Sequence, residues 1–80
     1  MHIVVTGAGS GIGKSIAITL AERGYSLILL GRNLENLEST KSLLNNSEQH
    51  QCHTCDIRNS EEIKKALENV SSLYALIANA

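Results

Sequence analysis

Short apolar runs alternate along the chain with longer stretches in which apolar residues recur every three or four positions. The apolar runs cover His2 to Thr6, Ser26 to Leu30, Gln51 to Asp56 and Leu73 to Asn79. The third run is the weakest, because polar and apolar residues alternate in it. A short continuous apolar run bounded by turn residues is typical of a strand covered on both faces of a parallel sheet. The pattern therefore predicts four strands.

The first two intervening stretches predict amphipathic helices with recognisable ends. One runs from Gly11 to Arg23, and Gly24 supplies the left-handed residue that ends it. The next begins after Asn33, which is a good N-cap, and Asn45-Asn46-Ser47 ends it. Leu34, Leu37, Lys41 and Leu44 are predicted to lie on one stripe of this helix.

The third helix is predicted to begin after Asn59. Glu62 stands at the capping-box position, three residues after this N-cap. The apolar residues that share its predicted buried face are Ile63, Ala66, Leu67 and Val70. Ser71-Ser72 separates this helix from the fourth strand.

The resulting order, β-α-β-α-β-α-β, predicts an α/β fold with a Rossmann-type doubly wound parallel sheet. Right-handed crossovers place the strands in the order 3-2-1-4, with the first two helices on one face and the third on the other. The crossover direction reverses between strands one and four, so a ligand is expected beyond the carboxyl ends of these strands. Residues 1–80 form one unit without repeats or linkers.

A glycine-rich stretch joins the first strand to the first helix and holds four of the six glycines. Its sequence is Thr6-Gly7-Ala8-Gly9-Ser10-Gly11-Ile12-Gly13. Such a turn exposes backbone N–H groups, and the helix N-terminus adds partial positive charge, so the stretch favours a pyrophosphate site. Two alternatives are a plain tight turn and a relaxed P-loop. In the second, Ala8 replaces the first P-loop glycine, while Lys14 would meet phosphate and Ser15 a magnesium ion.

Composition narrows the possible partners and compartments. A formal net charge of −1 without a basic cluster argues against nucleic acid. No apolar run approaches the roughly 20 residues of a membrane span, and no signal peptide precedes the first strand, so a cytoplasmic protein is expected.

The motif His50-x-Cys52-His53-x-Cys55 invites a metal or redox interpretation. We predict plain strand residues instead and no metal site, because residues three apart in a strand point to opposite faces.

Four motifs in register resemble the amino-terminal half of a short-chain dehydrogenase/reductase. They are Thr6 to Gly13, Gly31-Arg32 after the second strand, Asp56-Ile57 after the third, and Ile77-Ala78-Asn79-Ala80 at the fourth. The resemblance spans essentially the whole chain. It implies an NAD(P)-dependent oxidoreductase that passes a hydride between nicotinamide and a small carbonyl or alcohol substrate. Residues 1–80 would then be the amino-terminal cofactor-binding half of a Rossmann domain.

The resemblance also implies roles for individual residues. The cofactor's pyrophosphate and adenosine ribose would be held by Gly7, Gly9, Ser10, Gly11, Ile12 and Gly13. Arg32 would meet the 2′-phosphate of NADP, and Gly31 stands where NAD-preferring members have an acidic residue, so NADP(H) is favoured over NAD(H). Asp56 would accept a hydrogen bond from the adenine amino group, Ile57 would contact the ring, and Asn79 would lie near the adenosine ribose.

Two of these residues have simpler alternatives. Arg32 could be a solvated arginine paired with Glu35 one helical turn away. Asp56 could merely form a turn before Asn59. The sequence leaves both choices open.

The sequence departs from the family where catalysis is concerned. Ala78 replaces the first asparagine of the usual Asn-Asn-Ala-Gly, and the Tyr-x-x-x-Lys turn is missing, since Leu29 and Ala78 stand four residues after Tyr25 and Tyr74. No catalytic residue is assigned, and the 80-residue chain alone is expected to be inactive. A full-length form would be a homo-oligomer by resemblance. The alternative is a stand-alone or remnant nucleotide-binding module without catalysis.

Overall fold

The computed structural model describes residues 2–9, 11–68, 70 and 73–77. Its strands are β1 (His2–Thr6), β2 (Ser26–Gly31), β3 (Gln51–Thr54) and β4 (Leu73–Ile77). Its helices are α1 (Gly11–Glu22), α2 (Leu34–Ser42) and α3 (Ser60–Leu67), and a short 3₁₀ helix covers Ser47–Gln49. The predicted alternation of strands and helices is confirmed.

All four strands are parallel, and their order in the sheet is β3-β2-β1-β4. Val4 in the middle of β1 lies opposite Ile28 of β2 and Leu76 of β4. This is the predicted order 3-2-1-4. The carboxyl ends of β1 and β4 therefore meet at one edge, where the glycine-rich stretch leaves the sheet.

Each face of the sheet has its own hydrophobic core. Alternate side chains of a strand point to opposite faces, so Ile3 and Val5 belong to one core and Val4 to the other. The first core packs against α1 and α2 through Ala17, Ala21 and Leu37, and Leu44, which the sequence placed in the second helix, joins this core from just after the end of α2 at Ser42. The second packs against α3 and the residues after it through Ile63, Ala66, Leu67 and Val70. The predicted distribution of helices over the two faces is confirmed.

Two apolar residues of the predicted helix patterns are more exposed than the others. Leu34 is 49% exposed, because it lies beside the edge strand β3, which has no further described strand to cover it. Ile12, in the first turn of α1, is 70% exposed. The buried residues of α1 are instead the small ones, Gly13, Ala17 and Ala21, and small side chains let a helix approach a sheet closely.

The element ends differ slightly from the prediction. β3 ends at Thr54 rather than Asp56, and α1 ends at Glu22 rather than Arg23. Cys55 still donates its backbone N–H to the Gly31 carbonyl at 2.7 Å, so the chain stays beside β2 for one residue more. The predicted end of the fourth strand, Asn79, lies outside the described residues.

Both predicted N-caps are confirmed, but the capping box is not. The Asn33 side chain accepts the backbone N–H of Asn36 at 3.1 Å, and the Asn59 side chain accepts that of Glu61 at 3.0 Å. Glu62 does not reach back to the Asn59 backbone N–H, because that group already donates to the Asp56 carbonyl at 2.8 Å. Glu62 Oε1 instead accepts the Asp56 backbone N–H at 3.1 Å.

Across the described part of the chain, no helix has the length and apolar character needed to cross a membrane.

Candidate functional site

The glycine turn after β1 requires glycine for its backbone conformation at two positions. Gly7 and Gly11 have φ angles of 63° and 60°, in the left-handed region that other residues rarely adopt. These two residues bracket the turn between the end of β1 and the start of α1. Ser10, which the sequence placed in this site, lies outside the described residues.

Gly9 is required for a different reason, which is close packing against α2. A Cβ added at Gly9 would lie 2.9 Å from the Cβ of Asn36, closer than such atoms approach in proteins. The backbone of the turn therefore rests directly on α2. Any larger residue would push the turn and the helix apart.

Two hydrogen bonds fix the middle of the turn. The Ala8 backbone N–H donates to the Leu30 carbonyl at 3.4 Å, and the Ala8 carbonyl accepts the Thr40 hydroxyl at 2.9 Å. Ala8 and Thr40 are both fully buried. The sequence analysis missed Thr40, although a signal existed: it is a polar residue three positions after Leu37 and four before Leu44, on the buried face of α2.

The turn and the end of β2 enclose a cavity of about 210 Å³. Its lining includes Gly7, Gly9, Gly31, Arg32, Asn33 and Asn36. The structure thus brings the glycine motif and the Gly31-Arg32 motif to one place, although more than 20 residues separate them in sequence. A Cβ at Gly31 would lie 3.2 Å from Leu37, so a larger side chain there would crowd α2.

Other cavities of the described chain lie apart from this one. A groove of about 550 Å³ runs along α1 beside Gly11 and Ile12, and a groove of about 490 Å³ follows β3 beside Cys52 and His53. The predicted site residues Gly11 and Ile12 therefore border the α1 groove at the start of the helix, on the far side of the turn.

Asp56 is held by two arginines just after β3. The Arg58 side chain donates from Nε to Oδ1 at 3.2 Å and from Nη2 to Oδ2 at 3.3 Å, and its backbone N–H donates to Oδ1 at 3.0 Å. Arg32 Nη2 lies 3.5 Å from Oδ1. These contacts, with the Arg58 side-chain bonds first, lower the pKa of Asp56 to about 2, and the same pairing raises the pKa of Arg58.

The contacts of Asp56 with Arg58 and Arg32 bear on the two alternatives that the sequence left open, the pairing of Arg32 with Glu35 and the turn before Asn59. Within the described chain Arg32 forms its ion pair with Asp56, so the suggested pairing with Glu35 is wrong. The turn between Asp56 and Asn59 is present, since the Asn59 N–H donates to the Asp56 carbonyl. Arg58 was missed by the sequence analysis, although an arginine two residues after an aspartate fits an Asx turn.

The remaining predicted site residues lie around this edge or outside the described chain. Ile57, which is 37% exposed, follows Asp56 in the loop before α3. Gly13 is buried in the first turn of α1. The Thr6 hydroxyl donates to the Ile77 carbonyl at 3.3 Å and so joins the ends of β1 and β4. Asn79 lies outside the described residues.

The cysteine and histidine cluster near β3 is divided between two faces. Cys52 packs against the core under α1 and α2, whereas Cys55 is buried in the core under α3, as the strand geometry predicts. Burial, followed by the nearby Glu38 carboxylate, raises the pKa of the Cys52 thiol to about 11, and burial also raises that of Cys55. Among the residues that the structure describes, no group of three potential ligands could hold a metal.

His50 has a structural partner on each ring nitrogen. Its Nδ1 accepts the buried Leu27 N–H at 3.0 Å, and its Nε2 lies 2.8 Å from the Asn45 carbonyl. Since a carbonyl accepts but never donates, Nε2 must carry the proton. The ring therefore joins β2 to the loop before β3, and both nitrogens are already in use.

The arrangement of parallel strands, glycine turn and arginine after β2 has counterparts in known proteins. A family model for short chain dehydrogenases matches residues 1–80. The chain belongs to the short-chain dehydrogenase family.

Individual relatives show the same correspondence. A probable 2,4-dienoyl-CoA reductase of Bacillus subtilis is 40% identical over 83 residues, which cover 98% of this chain and 33% of the relative. A short chain dehydrogenase from Bacillus anthracis superposes with a TM-score of 0.92 at 31% identity, over 99% of this chain and 34% of that one. An actinorhodin polyketide ketoreductase solved with NADPH gives 0.84 at 32% identity, over 99% and 32%. The chain spans about a third of the length of these proteins.

Proposed function

We propose that this chain supplies the cofactor-binding part of an NADP(H)-dependent oxidoreductase of the short-chain dehydrogenase type. The observation that carries the proposal is the cavity in which the glycine turn meets Gly31 and Arg32. The cofactor, when bound, would supply hydride transfer between its nicotinamide ring and a carbonyl or alcohol substrate.

The turn is suited to a pyrophosphate and its adjoining ribose. Left-handed Gly7 and Gly11 and the closely packed Gly9 keep side chains away from the backbone N–H groups. The start of α1 adds the partial positive charge of a helix N-terminus. We assign to this role the set that the resemblance implies, namely Gly7, Gly9, Ser10, Gly11, Ile12 and Gly13.

Two observations support a preference for NADP(H). The Arg32 side chain is 64% exposed, and among the described residues its one ion pair is the 3.5 Å contact with Asp56, so its other donors can meet a ribose 2′-phosphate. The preceding position holds Gly31, which has no side chain, whereas an acidic residue there would favour NAD. The NADPH-bound ketoreductase among the similar structures is consistent with this preference.

Asp56, Ile57 and Asn79 are proposed to recognise the adenosine. The lowered pKa of Asp56 keeps it a carboxylate, which accepts hydrogen bonds and suits an adenine amino group. Among the described residues, Oδ2 accepts one hydrogen bond, from Arg58 Nη2, and a carboxylate oxygen has two lone pairs. Ile57 offers an exposed apolar side chain to the ring.

The cofactor preference can be tested by binding alone. Titration of the purified chain with NADPH and NADH should give tighter binding of NADPH. Arg32→Gln should weaken NADPH about ten- to a hundredfold, as expected for a charge-assisted contact, and leave NADH nearly unchanged. Arg58→Gln is the matched control, since it removes the other arginine on Asp56 and should not change the NADPH-to-NADH ratio. Equal losses for both cofactors in Arg32→Gln would contradict the proposal.

A nucleotide-binding module without catalysis is the second candidate. Residues 1–80 contain no Tyr-x-x-x-Lys, the family's acid/base turn, so they supply no catalytic residue under either candidate. Both candidates predict cofactor binding without carbonyl reduction by the 80-residue chain. The intact mass of the native gene product separates them, because a mass well above 8.6 kDa leaves room for catalytic residues. A P-loop role for Lys14 and Ser15 is not favoured, given the family.

The proposal extends to the full-length protein. We expect a homo-oligomer in the cytoplasm that acts on a small carbonyl or alcohol and binds neither nucleic acid nor membrane. Size-exclusion chromatography and cell fractionation of the native protein would test these expectations.

A further inference from the structure

The glycine turn packs against one face of α2. Asn36 and Thr40 are four residues apart, so they stand one above the other on this face, beside Leu37. Asn36 is the residue against which Gly9 packs, and the Thr40 hydroxyl donates to the Ala8 carbonyl at 2.9 Å. The helix therefore contacts two successive residues of the turn.

The hydrogen bond from Thr40 determines how the peptide between Ala8 and Gly9 is oriented. In a trans peptide the C=O and N–H groups point in opposite directions, and the structure contains no cis peptide bond among its described residues. Because the Ala8 carbonyl points toward α2, the Gly9 N–H points away from it. The Ala8 N–H is held as well, by the Leu30 carbonyl at 3.4 Å.

A packing role alone does not account for a threonine at this position. Thr40 has no exposed surface, and the neighbouring core residues Leu37 and Leu44 are apolar. Valine has nearly the same shape and would avoid the cost of burying a hydroxyl. What the hydroxyl adds is the bond to Ala8.

We propose that Thr40 is a positioning residue, which fixes the Ala8–Gly9 peptide and with it the backbone of the glycine turn that would contact the cofactor. This inference rests on the proposed function, because it assigns that turn to a dinucleotide site. It extends that function to a residue on α2 that touches the turn and not the cofactor.

The test compares Thr40→Val with Thr40→Ser in the purified chain. Valine keeps the shape and removes the donor, whereas serine keeps the donor and removes a methyl group. Ile28→Val is the matched control, because Ile28 is equally buried but lies in the core on the opposite face of the sheet. The measurements are the dissociation constant for NADPH, the urea midpoint, and amide hydrogen exchange of the cofactor-free chain.

Thr40→Val should weaken NADPH binding about three- to tenfold, in line with the loss of one hydrogen bond. Exchange of the Ala8 amide, whose N–H donates to the Leu30 carbonyl, should become faster by a similar factor. Thr40→Ser should lower the urea midpoint and yet keep the wild-type affinity and the wild-type exchange of this amide. Ile28→Val should lower the midpoint with no effect on affinity.

Three results would overturn the inference or separate it from the proposed function. If Thr40→Val behaves like Ile28→Val, Thr40 is an ordinary core residue. If Thr40→Val does not fold, Thr40→Ser decides: unchanged affinity supports the positioning role, and weakened affinity contradicts it. If the wild-type chain binds neither NADPH nor NADH, the proposed function fails, while amide exchange still shows whether the hydroxyl orders the turn.

Discussion

Arg58 donates three hydrogen bonds to the Asp56 carboxylate, from Nε at 3.2 Å, from Nη2 at 3.3 Å and from its backbone N–H at 3.0 Å. These hydrogen bonds are the main reason that the pKa of Asp56 is lowered from 3.8 to about 2. A carboxyl group with a lower pKa in the folded state stabilises the fold when ionised. The stabilisation is complete above the unfolded-state pKa and is lost as the pH falls through that of the folded state.

We therefore expect Asp56→Asn to destabilise the chain at about pH 6, with a difference from wild type that shrinks between about pH 4 and pH 2. Urea titrations over this range would measure it. In an Arg58→Gln background the same substitution should show a much weaker pH dependence. A wild-type advantage that stays constant down to about pH 2 would rule out this account of Asp56.

Removal of the His50 ring should destabilise the sheet. His50→Ala leaves the buried Leu27 N–H without its acceptor, which costs about 1–3 kcal/mol in free energy of unfolding. His53→Ala is the matched control on β3, because in the described part of the chain the His53 ring bonds to the exposed Gln51 side chain, and it should change stability by less than about 0.5 kcal/mol. Equal losses in the two variants, measured by urea unfolding, would show that the His50 bond contributes nothing special.

A methyl group at Gly9 should separate the turn from α2. Gly9→Ala places a Cβ 2.9 Å from that of Asn36, and such overpacking costs about 1–3 kcal/mol. Because the clash is with the Cβ of Asn36, Asn36→Gly in the same chain should restore part of the loss. Gly24→Ala has open space but a φ of 90°, so its loss comes from backbone strain and should not respond to Asn36→Gly. Thermal unfolding of the four variants would detect the difference, and absence of rescue would contradict the assigned contact.

Both cysteines should react slowly with thiol reagents in the folded chain. Reaction requires the thiolate, and the pKa of Cys52 is raised from 9.0 to about 11, so its thiolate fraction at about pH 8 falls about 100-fold. The buried Cys55 should be slower than an exposed thiol as well. Rates measured with a chromogenic disulfide should rise to those of free cysteine in urea. Fast labelling of Cys52 in the folded chain would disprove the predicted environment.

Much of the fold is readable from local sequence patterns. The β1 and β2 runs are apolar because both of their faces are covered, and the caps Asn33 and Asn59 act within one helical turn. Such short-range effects need no knowledge of the rest of the chain. The strand order also follows, because right-handed crossovers leave few arrangements for this sequence of elements.

The prediction was less accurate where the outcome depended on surroundings that helical spacing does not show. Leu34 fits the apolar stripe of α2 but is half exposed at the sheet edge, and Glu62 fits a capping box whose backbone donor is already used by Asp56. The Arg32 partner was chosen by helical spacing, whereas β3 brings Asp56 within 3.5 Å. Only the Arg32 pairing was decided by a contact from a distant part of the chain. Leu34 lacks a covering neighbour, and the Asn59 N–H is used by a residue three positions earlier.

The sequence by itself determined that a strand, a glycine turn and a helix follow one another, because glycine tolerates the left-handed backbone that such a turn needs. Only the tertiary structure decided how that turn is held. The Thr40 hydroxyl reaches the Ala8 carbonyl, and Asn36 meets Gly9, across about 30 residues of sequence. No local pattern encodes a distance between two elements, since that distance results from the packing of α2 against the sheet.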